Sequence, residues 1–275
     1  MNDRFIRNEL LLGAVAMEML RQARVAVVGM GAVGSFAVEA LARAGVGHLR
    51  LVDFDTVHAS NMNRQLYALE STLGRRKVDV ARERVLDINP ECDVELLPVF
   101  VDETTVGQAI APPVDMVVDA IDSLSPKTGL MAACARAGVR IISAMGAARK
   151  VEPAAIRVAS VFESHTCPLA RFVRRRLRRW GVTGDIRCVF SAEMPLDTPE
   201  DAAAVLEVRE EGSYERGRKR QPLGSLACIT GLFGLVVARE VIATLTGLDA
   251  AAGGRPPNLP SPPATGAPRL RSAGG

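Results

Sequence analysis

The sequence predicts an α/β protein with a Rossmann-like, doubly wound and mostly parallel sheet, followed by an α/β extension at the C-terminal end. Short apolar segments with strand character alternate with segments of helical periodicity over residues 1–150. The first strand leads directly into a glycine-rich turn, as in nucleotide-binding βαβ units. The 275 residues are 48% hydrophobic, which is enough to enclose a substantial core.

The order of these segments is typical of parallel strands with helices on both faces of the sheet. Apolar residues recur at helical spacing over residues 5–22, before the first strand. The predicted strands are 24–28, 48–53, 94–99, 114–119 and 139–144, and the predicted helices between them are 32–44, 77–88 and 126–137.

We interpret residues 1–249 as a single unit, with a nucleotide-binding core at 20–150 and an extension at 151–249. The extension contains a strand, an arginine-rich helix, a second strand at 187–190 and a long apolar segment at 223–245. Arg239 and Glu240 interrupt that apolar segment, so we expect a buried or amphipathic helix and no membrane span. Residues 250–275 are rich in Gly, Pro, Ala and Ser, a composition that predicts a disordered tail.

Charge, cysteine content and the N-terminal residues limit the partners and cellular compartments that we expect. The formal net charge is only +3, so any polyanionic partner must be recognised by local charge rather than by overall charge. The five cysteines form no CxxC pair, which fits neither a zinc site nor a disulfide framework and favours a reducing cytoplasm. The N-terminal residues are charged where a secretory signal would be apolar.

A glycine-rich turn provides the first functional signal. Gly29, Gly31 and Gly34 form GxGxxG between a predicted strand and a predicted helix. Glycines permit close approach of a phosphate group, and the helix N-terminus offers unpaired N–H groups. Asp53, at the end of the second strand, is placed to accept hydrogen bonds from ribose hydroxyls. At this point NAD and ATP fit the pattern equally well.

A cluster of cations and amides favours ATP. Asn61, Arg64, Gln65 and Lys77 follow the second strand. A guanidinium and an ammonium can neutralise a triphosphate and the charge that develops as pyrophosphate leaves. The alternative is a solvated, charged surface segment.

Asp122 follows the strand that ends at Asp119, at the edge where open α/β sheets bind ligands. It is a candidate ligand for Mg²⁺ bridging phosphate oxygens. Its alternative role is a helix cap before Ser125 and Pro126.

These segments resemble the ubiquitin-activating-type, ThiF-like adenylyltransferases, which include the activators of molybdopterin and thiamine sulfur carriers. The matching segments are RFIR at residues 4–7 and then GMGAVGS, LVDFDTV, SNMNRQ, GRRKVD, INP and DAIDS. The resemblance implies catalytic roles for Arg64, Lys77 and Asp122, with ATP and Mg²⁺ as cofactors. It also implies that Arg7 reaches into the ATP site of a partner subunit, and therefore a homodimer.

Within that family, the chain is similar to the branch that dehydrates threonylcarbamoyladenosine next to the anticodon of tRNA. Residues 146–150 (GAARK), 168–170 and 189–195 carry this similarity, whereas Val151-Glu152-Pro153 departs from the Asp-Pro usual after the lysine. The implied partner is tRNA, and a cysteine desulfurase or sulfur-acceptor protein is a further candidate. The RNA contacts that we predict are Arg149, Lys150, Arg174, Arg175 and Arg178.

The implied chemistry is adenylation of the threonine carboxylate, followed by attack of the neighbouring carbamoyl oxygen to give a cyclic oxazolone. An intramolecular attack needs positioning rather than a protein nucleophile, so we interpret Cys188 and Cys228 as core thiols.

Three rival functions remain open from the sequence. One is activation of the C-terminal glycine of a ubiquitin-like sulfur carrier, although such activators usually carry paired CxxC zinc ligands. The second is an NAD-dependent oxidoreductase, supported only by the glycine turn and Asp53. The third is a non-catalytic scaffold that recruits a sulfur-transfer protein. The arginine-rich helix likewise has two alternatives to RNA binding, a solvated face and an acidic protein partner.

Overall fold

A computed structural model describes residues 3–197 and 223–248. The predicted disordered tail at 250–275 lies outside the described residues. The helices are α1 (Ile6–Leu12), α2 (Ala14–Gln22), α3 (Gly34–Ala44), α4 (Lys77–Ile88), α5 (Val106–Ile110), α6 (Leu124–Ala137), α7 (Pro168–Arg179) and α8 (Ala227–Thr246). The strands are β1 (Arg24–Val28), β2 (His48–Val52), β3 (Asp93–Leu97), β4 (Met116–Asp119), β5 (Arg140–Ala144), β6 (Ile156–Ser160) and β7 (Arg187–Ser191).

The seven strands form one sheet in the order β3-β2-β1-β4-β5-β7-β6. Every pair is parallel except β6 with β7, which is antiparallel. The predicted α/β class with a mostly parallel sheet is therefore confirmed. The two strands of the extension continue the same sheet beyond β5.

Two hydrophobic clusters, one on each face, explain why β1 and β4 read as continuous apolar runs. Val25 and Val27 belong to one cluster, and Ala26 and Val28 belong to the other, because successive strand residues point to opposite faces. Helices α3 and α8 contribute buried residues to the first cluster, and helices α6 and α7 contribute buried residues to the second. The edge strand β3 lacks fully buried residues, as expected where one side is open.

Several helix boundaries differ from the sequence prediction, including that of α6, which starts at Leu124 rather than residue 126. The segment 5–22 forms two helices because the chain turns at Gly13, whose φ is +85°. Helix α3 starts at Gly34 rather than residue 32, since the preceding residues form the glycine turn. Helix α8 starts at Ala227 rather than residue 223.

Among the described residues, one helix, α8, is long and apolar enough to cross a membrane by length and composition. In this structure it packs as a core helix. Phe233 and Val237 are fully buried in the first cluster. A Cβ at Gly234 would overlap the carbonyl oxygen of Val33, so only glycine lets α8 lie this close to the start of α3.

Candidate nucleotide-binding site

The candidate site lies at the carboxyl edge of the sheet. Strands β1 and β4 are neighbours there, and their following helices, α3 and α6, pack on opposite faces. This is the point at which the strand order reverses, and open α/β sheets bind ligands in the crevice that results. The loops that follow β1, β2 and β4 carry the predicted nucleotide-site residues of the core.

Two of the three glycines are required by the fold itself. Gly29 has φ +99°, and a Cβ there would lie 2.9 Å from the carbonyl oxygen of Ala120. A Cβ at Gly34 would overlap the carbonyl oxygen of Gly29. These contacts allow β1 to turn directly into α3, so Gly29 and Gly34 by themselves do not demonstrate a ligand.

Gly31 is different, because no protein atom accounts for its lack of a side chain. The nearest atom to a Cβ at this position is Nε2 of Gln65, at an ordinary contact distance of 3.9 Å. Its φ is not positive. The space above Gly31, between the turn and Gln65, is therefore a cradle that a side chain would narrow and a phosphate can enter.

Asp53 lies one residue beyond β2, next to the glycine turn. Its Oδ2 accepts the N–H of Met30 at 2.6 Å, and its Oδ1 accepts the N–H of Asp55 at 2.8 Å. Burial raises the pKa of Asp53, against the opposing influence of the Lys77 charge and the two N–H donors. Each carboxylate oxygen has a second lone pair, which leaves acceptor capacity for ribose hydroxyls.

Lys77 is the first residue of α4 and is only 4% exposed. Its Nζ pairs with Oδ2 of Asp55 at 2.5 Å, and its backbone N–H bonds to the carbonyl of Asp55. Asp55 was not singled out from the sequence, although it lies two residues after Asp53 in LVDFD. The ammonium is thus held by Asp55 close enough to Asp53 for its charge to influence that carboxylate.

The remaining predicted ATP ligands surround a short 3-10 turn, Ala59–Asn61. Asn61 is buried, and its side chain accepts the N–H of His58 at 3.2 Å. Arg64 is partly buried, and its Nη1 donates to the carbonyl of Ser60 and to Oδ1 of Asn63, both at 2.8 Å. These bonds use one nitrogen of a group with five N–H donors, so the guanidinium keeps donors for phosphate oxygens.

Asp122 is exposed at the same edge, three residues beyond the end of β4. The Ser123 hydroxyl lies 3.4 Å from its Oδ1. No group of three or more His, Cys, Asp or Glu side chains that could hold a metal occurs within residues 3–197 and 223–248. A single carboxylate fits Mg²⁺, because this ion is commonly bound by one or two carboxylates plus substrate phosphates and water.

A buried ion pair supports the Asp122 loop. Oδ2 of Asp119 accepts Nζ of Lys127 at 2.7 Å and Oγ of Ser143 at 2.6 Å. Its Oδ1 accepts the N–H of Ile121 at 3.0 Å, which fixes the first turn of the loop. Both charged side chains are fully buried, so removing one partner would cost about 3–5 kcal/mol. The available sequence signal was a lysine eight residues after the strand aspartate, on the first turns of α6.

The predicted residues outside this crevice occupy two regions. Arg7 is exposed on α1, which packs against α2. On α7, Arg175 and Arg178 are exposed, whereas Arg174 is partly buried and donates to Oγ of Ser164 at 2.8 Å. The α7 pattern is as expected, since Val173 and Leu177 face the core.

The two predicted RNA contacts on the loop after β5 are less exposed than Arg175 and Arg178. Arg149 is partly buried, and its guanidinium contacts the carbonyl of Leu196 and Oδ1 of Asp197. Lys150 is only 2% exposed. In this arrangement the Lys150 ammonium is not at the surface, so the predicted contact between Lys150 and an RNA phosphate is not available without movement of its side chain.

The two cysteines behave differently. Cys188 is buried, and burial raises its pKa to about 12, so the inert protonated thiol dominates at neutral pH. Cys228 is exposed at the start of α8, which makes its interpretation as a core thiol wrong. A position within an apolar run does not show which face of the helix a residue occupies.

The fold and the crevice define an α/β nucleotide-binding protein of the ThiF type, and the chain belongs to the ThiF family, whose model matches residues 5–261. A tRNA threonylcarbamoyladenosine dehydratase of Bacillus subtilis is 41% identical over 248 residues, which are 89% of this chain and 95% of that protein. Its counterpart in Escherichia coli is 35% identical over 87% of this chain and 92% of that protein.

Solved structures agree with this relationship. The crystal structure of Escherichia coli tRNA N6-threonylcarbamoyladenosine dehydratase in complex with ATP has a TM-score of 0.77 at 33% identity, covering 91% of this chain and 96% of that chain. A molybdopterin-synthase adenylyltransferase of Escherichia coli is 38% identical, but over only 49% of this chain and 53% of that protein. Similarity to the first group therefore includes the extension, whereas this second match covers half of the chain.

The different environments of the glycines give a matched pair of substitutions. We expect Gly31→Ala to fold like the wild type and to weaken ATP binding about tenfold or more, because the added methyl group enters the phosphate cradle. We expect Gly34→Ala to lower the free energy of unfolding by several kcal/mol, since its Cβ overlaps backbone. Urea denaturation and calorimetric titration with ATP measure both effects. Unchanged ATP affinity in Gly31→Ala would contradict the cradle.

Proposed function

We propose that this chain is an ATP-dependent tRNA threonylcarbamoyladenosine dehydratase. The observation that carries the proposal is similarity to dehydratases over 89% of the chain, including the extension with its arginine-rich helix. The open space above Gly31 and the buried Lys77–Asp55 pair support an ATP site of the kind that this activity needs.

The reaction follows from the weakness of a carboxylate as an electrophile. One threonine carboxylate oxygen attacks the α-phosphorus of ATP, and pyrophosphate leaves with the electrons of the broken P–O bond. The carbamoyl oxygen then attacks the activated carbonyl carbon, a carbamoyl proton is lost, and AMP departs with the original carboxylate oxygen. The product is the cyclic oxazolone, with net loss of one water from the nucleoside. Proximity of the two reacting groups replaces a protein nucleophile.

In the adenylation step, the side chains described above have different proposed roles according to their position in the crevice. Asp53 orients the ribose, while Arg64 and Lys77 meet the negative charge of the phosphates. Asn61 and Gln65 line the phosphate side of the crevice. Asp122 would hold a Mg²⁺ ion, which when bound would supply positive charge to offset the negative charge of the phosphates.

The direct test is a mass measurement on tRNA nucleosides. The protein is incubated with ATP, Mg²⁺ and threonylcarbamoylated tRNA, and the digested nucleosides are weighed. We expect the modified nucleoside to lose one water mass only when ATP is present. Arg64→Ala should abolish the change while retaining the far-UV circular dichroism spectrum, because its bonds are to a surface turn. An unchanged nucleoside mass with the wild-type protein would refute the proposed function.

The second candidate is activation of the C-terminal glycine of a ubiquitin-like sulfur carrier. It is favoured by the match of 38% identity to a molybdopterin-synthase adenylyltransferase over half of the chain. If a small carrier protein alone, without tRNA, triggers exchange between pyrophosphate and ATP, this second function replaces the first.

A homodimer is part of the proposal, and an apolar stripe beside Arg7 supports it. Leu10, Leu11, Val15 and Met19 on α1 and α2 are 45–77% exposed, which is unusual for large apolar side chains clustered in sequence. Packing this stripe against a second copy would bury it. A self-complementary interface of this kind would place Arg7 of each protomer next to the other protomer.

Mixing two inactive variants tests whether Arg7 acts across the interface. Neither Arg7→Ala nor Arg64→Ala should be active alone. Mixed dimers contain one intact site if Arg7 serves the partner, so an equimolar mixture should regain about a quarter of wild-type activity by random pairing. If Arg7 serves its own subunit, both sites of every mixed dimer are defective. An inactive mixture, after subunit exchange is verified by mass spectrometry, would contradict action in trans.

Helix α7 is the proposed tRNA surface. Its exposed Arg175 and Arg178, together with Arg174 and Arg149, provide phosphate contacts that strengthen binding without reading base sequence. A cytoplasmic location is also part of the proposal and is consistent with a tRNA substrate. A cysteine desulfurase or a sulfur-acceptor protein is a further proposed partner.

Salt dependence tests this surface. We expect Arg175→Gln and Arg178→Gln each to weaken tRNA binding by about three- to tenfold and to reduce the slope of log affinity against log salt by about 1. Arg82→Gln, which removes an exposed arginine from α4, is the matched control and should change neither quantity. Fluorescence anisotropy at several salt concentrations measures both. Equal effects of all three substitutions would show that α7 is not the binding surface.

A further inference from the structure

Lys150 stands apart from the other buried cations. Its Nζ is buried and has no hydrogen-bond partner among the described residues, whereas Lys77 and Lys127 each pair with an aspartate. Burying an unpaired ammonium is costly, and buried polar groups in folded proteins are nearly always satisfied. An exception of this kind calls for a ligand or a strained functional arrangement.

Among the described residues, neither of the two ionisable groups near Lys150 forms an ion pair with its ammonium. Cys167 and Glu193 are the two groups whose charge influences it. Both oxygens of Glu193 are already engaged, since they accept the N–H groups of Val151 and Glu152 at 3.1 Å. Burial lowers the pKa of Lys150, although both neighbours oppose this shift. The carboxylate of Glu193 thus fixes the backbone after Lys150 rather than pairing with its ammonium.

The residue before Lys150, Arg149, has a strained backbone conformation. Arg149 has φ +60°, which is uncommon for a residue other than glycine and costs about 1 kcal/mol or more. The Arg149 side chain turns outward to Leu196 and Asp197, while Lys150 is buried. Such strain is concentrated at ligand sites, where the surrounding structure maintains it.

This loop lies at the same edge of the sheet as the nucleotide crevice. It follows β5, which pairs with β4, so this loop and the loop that carries Asp122 begin at neighbouring strand ends. Arg64 and Lys77 follow β2, on the other side of the glycine turn. Arg64 and Lys77 thus lie on the β2 side of the glycine turn, and the loop that carries the unpaired Lys150 ammonium lies on its β5 side.

We propose that Lys150 binds the carboxylate that becomes adenylated. The inference rests on the proposed function and assigns this residue the acyl substrate rather than an RNA phosphate. A carboxylate approaching a triphosphate is repelled by it, and an ammonium next to its path reduces that repulsion. Lysine suits the task because its flexible stem lets a point charge swing toward the anion. No hydrogen bond among the described residues is lost when the ammonium moves.

Binding measurements separate this role from general RNA affinity. Affinity is measured with a nonhydrolysable ATP analogue for tRNA with and without the threonylcarbamoyl group. We expect the wild type to prefer modified tRNA about tenfold and Lys150→Gln to lose the preference, with ATP affinity unchanged within about twofold. Arg140→Gln removes an exposed cation at the opposite end of β5 and should keep the preference. Converting the substrate carboxylate to an amide should make the wild type behave like Lys150→Gln.

Stability distinguishes a binding role from a structural one. Lys150→Met removes the buried charge and keeps the apolar stem, so we expect its free energy of unfolding to equal or exceed that of the wild type. A marked loss of stability would show that the ammonium has a structural partner and would overturn the inference.

The remaining outcomes are also decisive. A Lys150→Gln protein that keeps the wild-type preference overturns the inference. A wild type that dehydrates the nucleoside but shows no preference for modified tRNA overturns the inference while leaving the proposed function standing. A wild type that leaves the nucleoside mass unchanged refutes the proposed function itself.

Discussion

The site depends on one steric constraint, the close packing of Gly34 against the carbonyl of Gly29. Because no side chain fits there, β1 turns into α3 within five residues and the helix N-terminus faces the crevice between β1 and β4. The approach of Gly29 to Ala120 brings the end of β4 to the same place. Asp53, the cation cluster and the Asp122 loop are then positioned by strands that end at this edge.

Charged side chains on both sides of the crevice are held in fixed positions by ion pairs and hydrogen bonds. Asp53 and Asp55 lie next to each other, and Lys77 offsets their negative charge, so this side of the crevice carries a fixed pattern of charge without any ligand. On the other side, the Lys127–Asp119 pair is fully buried, and Asp119 also holds the backbone of the Asp122 loop through the N–H of Ile121. Fixed charges that need no rearrangement during the reaction are those that contribute to catalysis.

The central elements could be predicted from the sequence because their signals are local. Strand β1 is a short segment with strand character, RVAVV, followed directly by glycines. Asp53 follows a second short segment of this kind, HLRLV. Pairings between distant segments could not be predicted. The bond from Lys77 to Asp55 and the insertion of β7 between β5 and β6 depend on tertiary contacts that leave no periodic pattern. Lys150 illustrates the same limit, since a lysine in a polar loop gives no sign of burial.

The most direct measurement is a crystal structure of the protein with a nonhydrolysable ATP analogue and Mg²⁺. The triphosphate should lie over Gly31, with Arg64 and Lys77 on its oxygens, the metal next to Asp122 and the ribose on Asp53. An analogue bound elsewhere, or these side chains turned away from its phosphates, would contradict the account.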